Sequence, residues 1–188
     1  MPRPEKAGDA TSPSPTTPAK QQAIMMVHYC PGRSRELNLI ALLQRVTQAR
    51  VEVNDKTVGA IGPGLLVLVG VERDDTEADA SRLLDRVLRY RVFVDSEGRM
   101  NKSIADVAGA LLLVPQFTLA ADTRKGTRPS FSPAASPEKG ETLFNYLVTE
   151  AKIRHPRIAT GRFGAHMRVY LLNDGPVTLL LRSPPHRN

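Results

Sequence analysis

Two short runs of uninterrupted apolar residues, Leu65–Val71 and Gly109–Val114, constrain this chain most. Runs of that length, bounded by turn residues such as Gly62-Pro63-Gly64, suit strands buried in the middle of a sheet. Both are far short of the roughly 18 residues a membrane-crossing helix needs. Residues 39–53 add a strand rich in aliphatic and β-branched side chains. There Val51 and Val53 alternate with Arg50, Glu52 and Asn54, as on a half-buried surface. Arg91–Val94 reads as a further strand, followed by a hairpin turn at Asp95-Ser96-Glu97-Gly98. His166–Leu172 and Val177–Arg182 close the chain as two strands with Asn173-Asp174-Gly175-Pro176 between them.

Only two helices stand out. Asp75 or Thr76 can cap the first, and Ala80, Leu83, Leu84, Val87 and Leu88 form its apolar stripe. The second opens at Ser136-Pro137-Glu138, a cap followed by proline at the first helical position. Its stripe is Leu143, Phe144, Leu147, Val148 and Ala151. Many strands with two helices predict a single α+β domain built on a mostly antiparallel or mixed β-sheet.

Residues 1–38 lack any sustained period and hold six of the 15 prolines. Little apolar burial offsets their ordering entropy, so a disordered tail is expected there, with the domain occupying 39–188. Met25 and Met26 could serve as internal starts. Cys30, the one cysteine, cannot form an intrachain disulfide, and the four histidines are scattered with no metal-ligating spacing. No metal, no cofactor and a reducing, cytoplasmic setting follow as expectations. Residues 1–38 hold five basic and three acidic side chains, 39–120 ten and eleven, and 121–188 eleven and five. The positive field therefore belongs to the last third, where it would steer a polyanion such as RNA; an ordinary solvated basic surface is the plain alternative.

Two segments could carry chemistry. Pro115-Gln116-Phe117-Thr118-Leu119 follows a buried strand, and its proline ends regular pairing. The N–H groups that come next could face a pocket and stabilise a developing oxyanion, with Gln116 and Thr118 holding substrate. An edge-strand bulge would have the same sequence. In Asn173-Asp174-Gly175-Pro176-Val177-Thr178 the Gly-Pro pair reads first as a turn. Were Gly175-Pro176 cis, its carbonyls could hold an ammonium group and exclude substituents on one side. Between these segments Arg124, Lys125 and Arg128 lie on a Gly/Pro-punctuated loop suited to phosphate contacts, or simply exposed. No side-chain triad can be assembled.

Taken in order, Leu39–Val46, Gly62–Gly70, Phe117–Thr123, Gly126–Phe131, Gly161–Ala165 and Asn173–Thr178 resemble the D-aminoacyl-tRNA deacylase family. The resemblance implies a barrel-like homodimer that proofreads translation. It would hydrolyse the ester of D-aminoacyl-tRNA, and of glycyl-tRNA mischarged on tRNA-Ala, with RNA rather than DNA or a membrane as partner. By the same resemblance Gln116, Phe117 and Thr118 form the catalytic floor, Phe117 N–H being an oxyanion donor. Gly175-Pro176 would be the cis pair, inserted into the partner subunit to reject L-amino acids, and the RNA's own 2′-OH would assist in place of a side-chain nucleophile. Pro115 departs from the family's usual serine and removes any hydroxyl at that position. Two other readings remain: an esterase of the same fold with Thr118 as nucleophile, and a tRNA-binding module without catalysis.

Overall fold

The structure, a computed structural model, describes residues 39–183; the tail expected over 1–38, with Cys30, lies outside the described residues. The strands are β1 (Ile40–Val53), β2 (Lys56–Ile61), β3 (Gly64–Gly70), β4 (Phe93–Val94), β5 (Met100–Lys102), β6 (Ala110–Pro115), β7 (Ile158–Thr160) and β8 (Arg168–Arg182). The helices are α1 (Glu77–Arg89) and α2 (Pro137–Arg154). The main sheet runs β2-β1-β3-β6-β7, with β8 on the other side of β1. β1 is antiparallel to β2, β3 and β8, whereas β3–β6 and β6–β7 are parallel. β2 packs beside β7, so the sheet curls nearly into a barrel.

The two apolar runs sit where their sequence demands. Leu65, Val67, Leu111 and Leu113 face the helices, in one core with Leu83, Leu84, Phe144 and Leu147. Leu66, Leu112 and Val114 face the opposite way, inside the curl, with Val46 and Val51. Strands buried on both faces cannot alternate with polar residues, which is why these two do not.

Thr76 caps α1 in a reciprocal capping box with Asp79, and Ser136 caps α2 through Lys139 N–H with Pro137 in the first turn. Asp75, the other candidate cap, is instead buried. Its Oδ2 accepts Glu72 N–H at 2.6 Å while Oδ1 has no partner among the described residues. Burial pushes its pKa up to about 7 from an ordinary 3.8, against the Glu72 N–H bond that lowers it. The native carboxyl therefore keeps a proton that the unfolded chain has released, and stability falls as pH rises between those two values. A thermal melting series across that range should show this slope for the wild type, and Asp75→Asn should flatten it.

Three expectations are corrected. Arg91–Val94 contributes only Phe93–Val94 as strand, paired with β5 across the expected turn. β2 and β7 were not expected, and neither was the 3-10 turn Phe117–Ala120 in place of a bulge. Asn173–Pro176 is not a turn between two strands, because β8 runs through it and absorbs it in register shifts opposite Gln44–Gln48 of β1.

Candidate active site

Parallel pairing of β3 with β6 brings both carboxyl ends to one edge of the sheet, where Val69 stands opposite Pro115. Gln116 N–H donates to Val69 O, so the N–H of position 115 would face the β7 side. Pairing with β7 stops there, at Leu113–Thr160, so proline forfeits only a bond that the sheet has already given up. The chain then tightens into the 3-10 turn. Leu119 N–H donates to Gln116 O and Ala121 N–H to Thr118 O, which leaves the N–H groups of Phe117 and Thr118 without an acceptor in the described residues.

Beside this turn lies a cavity of about 440 Å³ between the strand ends, the start of α2 and the segment before β8. Val69, Val114, Gly140, Phe144, Phe163 and Met167 give it apolar walls, and Gln116, Ser136 and His166 supply polar side chains at its border. Gly140 lets Phe163 approach α2, since a Cβ there would meet the ring edge at 3.2 Å. An apolar slot with few polar groups suits a flat, partly polar ligand. Among the described residues no three His, Cys, Asp or Glu side chains gather as a metal would require.

The structure separates the expected site residues into three places. Gln116 and Phe117 line the cavity. Thr118 is adjacent, and its hydroxyl accepts a hydrogen bond from the Gln116 amide. Among the described residues no carboxylate or imidazole bonds to that hydroxyl to take its proton. Arg124 is clamped on Asp122, whose carboxyl it holds far below the usual carboxylate range, and Lys125 and Arg128 are exposed on the same loop.

Gly175 and Pro176 form the third place and do not line the cavity of their own chain. They lie opposite Arg45 of β1, whereas Gly70, which packs against the Phe117 turn at Gln116 and Leu119, pairs with Ile40. Five residues of strand separate these points, about 16 Å at the usual rise. The Gly175–Pro176 peptide is cis. A dense set of bonds holds it. Asn173 Oδ1 accepts Val177 N–H at 2.8 Å, and Asn173 Nδ2 donates to Thr178 Oγ1 at 3.0 Å. Arg45 donates to Asp174 O at 3.0 Å and to Val92 O at 2.5 Å and also pairs with the Asp174 carboxylate.

Arg45 is the site residue that sequence reasoning missed. Its signal was a charge inside an apolar strand, and it is only 9% exposed. A buried guanidinium without partners would be costly; here Val92 O anchors it while its bonds to Asp174 hold the residue that precedes the Gly-Pro pair.

The sequence matches the family model described as D-Tyr-tRNA(Tyr) deacylase over residues 42–182. A Nitrosococcus oceani protein named D-aminoacyl-tRNA deacylase is 64% identical over 147 residues, 78% of this chain and 95% of its own length. One of the same name from Thioalkalivibrio sulfidiphilus is 63% identical over 149 residues, covering 79% and 100%. A solved structure described as c-Myc DNA Unwinding Element Binding Protein superimposes with a TM-score of 0.74 at 38% identity, covering 77% of this chain and 99% of its own.

Proposed function

This chain belongs to the D-Tyr-tRNA(Tyr) deacylase family, and on that footing we propose that it hydrolyses the ester joining a D-amino acid, or glycine, to the 3′ end of tRNA. The observation that carries the reading is a pair of main-chain donors with no acceptor among the described residues, Phe117 N–H and Thr118 N–H, beside an apolar cavity of about 440 Å³. The terminal nucleoside occupies the cavity, and the ester carbonyl lies over the 3-10 turn. Water adds to the carbonyl carbon, Phe117 N–H stabilises the resulting oxyanion, and the ribose 3′-oxygen leaves with a proton. Donors of that kind contribute about 10²–10³ in rate. The neighbouring 2′-OH of the RNA positions the water, a role for which the described residues offer no base bonded to Thr118.

Chirality is read by Gly175-Pro176 supplied from a second copy of the chain. The pair is too far from its own Phe117 turn to serve it, and it lies on β8, whose Leu172 and Leu180 remain 56% and 46% exposed. Two exposed leucines on one strand support a partner surface, and a homodimer would place each Gly-Pro pair in the opposite cavity. Backbone carbonyls there hold the substrate ammonium and leave no room for an L side chain. Arg124, Lys125 and Arg128 meet the RNA phosphates, and a cytoplasmic site of action accords with that substrate.

The test is direct. Purified protein incubated with D-Tyr-tRNA, Gly-tRNA and L-Tyr-tRNA should release the first two amino acids and spare the third. Intact D-Tyr-tRNA at micromolar enzyme would refute the reading.

A further inference from the structure

Of the five phenylalanines, Phe144 is buried and Phe163 packs against it with ring centroids 6.4 Å apart. Phe117 and Phe131 behave otherwise. Their rings stand 5.1 Å apart, tilted by 51°, yet keep 58% and 41% of their surface exposed. Phe117 borders the cavity, and Phe131 lies outside its lining. Phe131 is also anchored. It directly follows Ser130, whose N–H and C=O both pair with Asp122 to close the loop 123–129 at its base. Lys125 and Arg128 stand exposed on that loop.

We propose that the Phe117–Phe131 pair is a stacking platform for the base of the nucleotide immediately 5′ of the esterified one, with Lys125 and Arg128 on its phosphate. This rests on the deacylase reading given above. A cavity of about 440 Å³ takes one ligand of nucleoside size, so the next nucleotide must lie outside, against whatever borders the mouth. Two ring faces beside a cationic loop form the combination that holds single-stranded RNA, the rings taking bases and the cations tracking the backbone. A protein partner fits less well, because the centres of such interfaces are depleted in lysine.

Steady-state kinetics on D-Tyr-tRNA and on 3′-O-(D-tyrosyl)adenosine, which lacks the second nucleotide, decides the matter. Phe131→Ala should lower kcat/KM on the tRNA by about 5- to 100-fold, mainly through KM. On the nucleoside ester it should match the wild type, and Phe131→Trp should restore the tRNA value. Equal losses on both substrates, no loss on the tRNA, or a change of oligomeric state caused by Phe131→Ala in light scattering would each overturn the platform. A wild type that cleaves neither ester overturns the deacylase reading and this inference with it, whereas a wild type that cleaves both isolates the inference.

Discussion

Gly175→Ala is expected to fold and yet lose about 100-fold or more in kcat/KM on D-Tyr-tRNA, the scale of a small misplacement in a preorganised site. Gly175 has φ +130°, a backbone region that L side chains rarely adopt. An added Cβ would also stand 2.8 Å from Val177 Cγ2 and 3.1 Å from Arg45 Nη2. Neither neighbour can yield freely, because Val177 N–H is tied to Asn173 and Arg45 to Asp174 and Val92. The strain, about 1–3 kcal/mol, must therefore move the carbonyls on either side of Gly175. Circular dichroism should show native secondary structure with a modest drop in melting temperature. Wild-type turnover in this variant would mean that the Gly-Pro carbonyls do not hold the substrate.

Gly64→Ala should act on the fold instead, costing about 3–5 kcal/mol, a large part of the 5–15 kcal/mol typical of a domain. Gly64 opens β3 directly opposite Ala110 of β6. A Cβ there would lie 1.8 Å from Ala110 O and 2.7 Å from its C and N, all backbone atoms with no rotamer to change. Relief requires the two strands to part, which breaks the Ala110 N–H bond to Pro63 O and disturbs Leu65 and Leu111 in the core beside it. Gly62→Ala, two residues away, meets nothing within 4 Å and should be nearly neutral, within about 0.5 kcal/mol. Urea unfolding of the two variants gives the comparison. Similar stabilities would show that the close approach of β3 and β6 is not needed.

The core was legible because burial on both faces leaves a mark that no turn or helix surface shares. Leu65–Val69 and Leu111–Val114 are written almost wholly in aliphatic residues and pair as neighbours. The helices were legible from their caps and stripes. β2 was not, because Lys56-Thr57-Val58-Gly59-Ala60-Ile61 mixes polar, small and apolar residues at a barrel rim. The available signal was Asn54-Asp55, both with positive φ, the chemistry of a tight hairpin turn. β7 has only three residues, whose pairing is decided by β6. Asn173–Pro176 misled for a physical reason. Local preference favours a turn, but fourteen-residue β1 supplies a ladder on one side, and an edge strand tolerates proline. The chemistry at Gln116–Thr118 was legible as a break in pairing, whereas the service of Arg45 to Gly175 depends on contacts far apart in sequence.

β8 also bears on how the molecule behaves when concentrated. Its 15 residues pair with β1 alone, which leaves one edge of main-chain donors and acceptors open among the described residues. Open edges of that length invite strand-by-strand growth into fibres. Pro176, near the middle of this strand, has no N–H to donate, and the register breaks opposite Gln44–Gln48 bend the strand there. An incoming strand can pair with one half of the edge or the other, but it cannot run along the whole. The residue proposed to exclude the wrong amino acid also keeps the sheet from growing without limit.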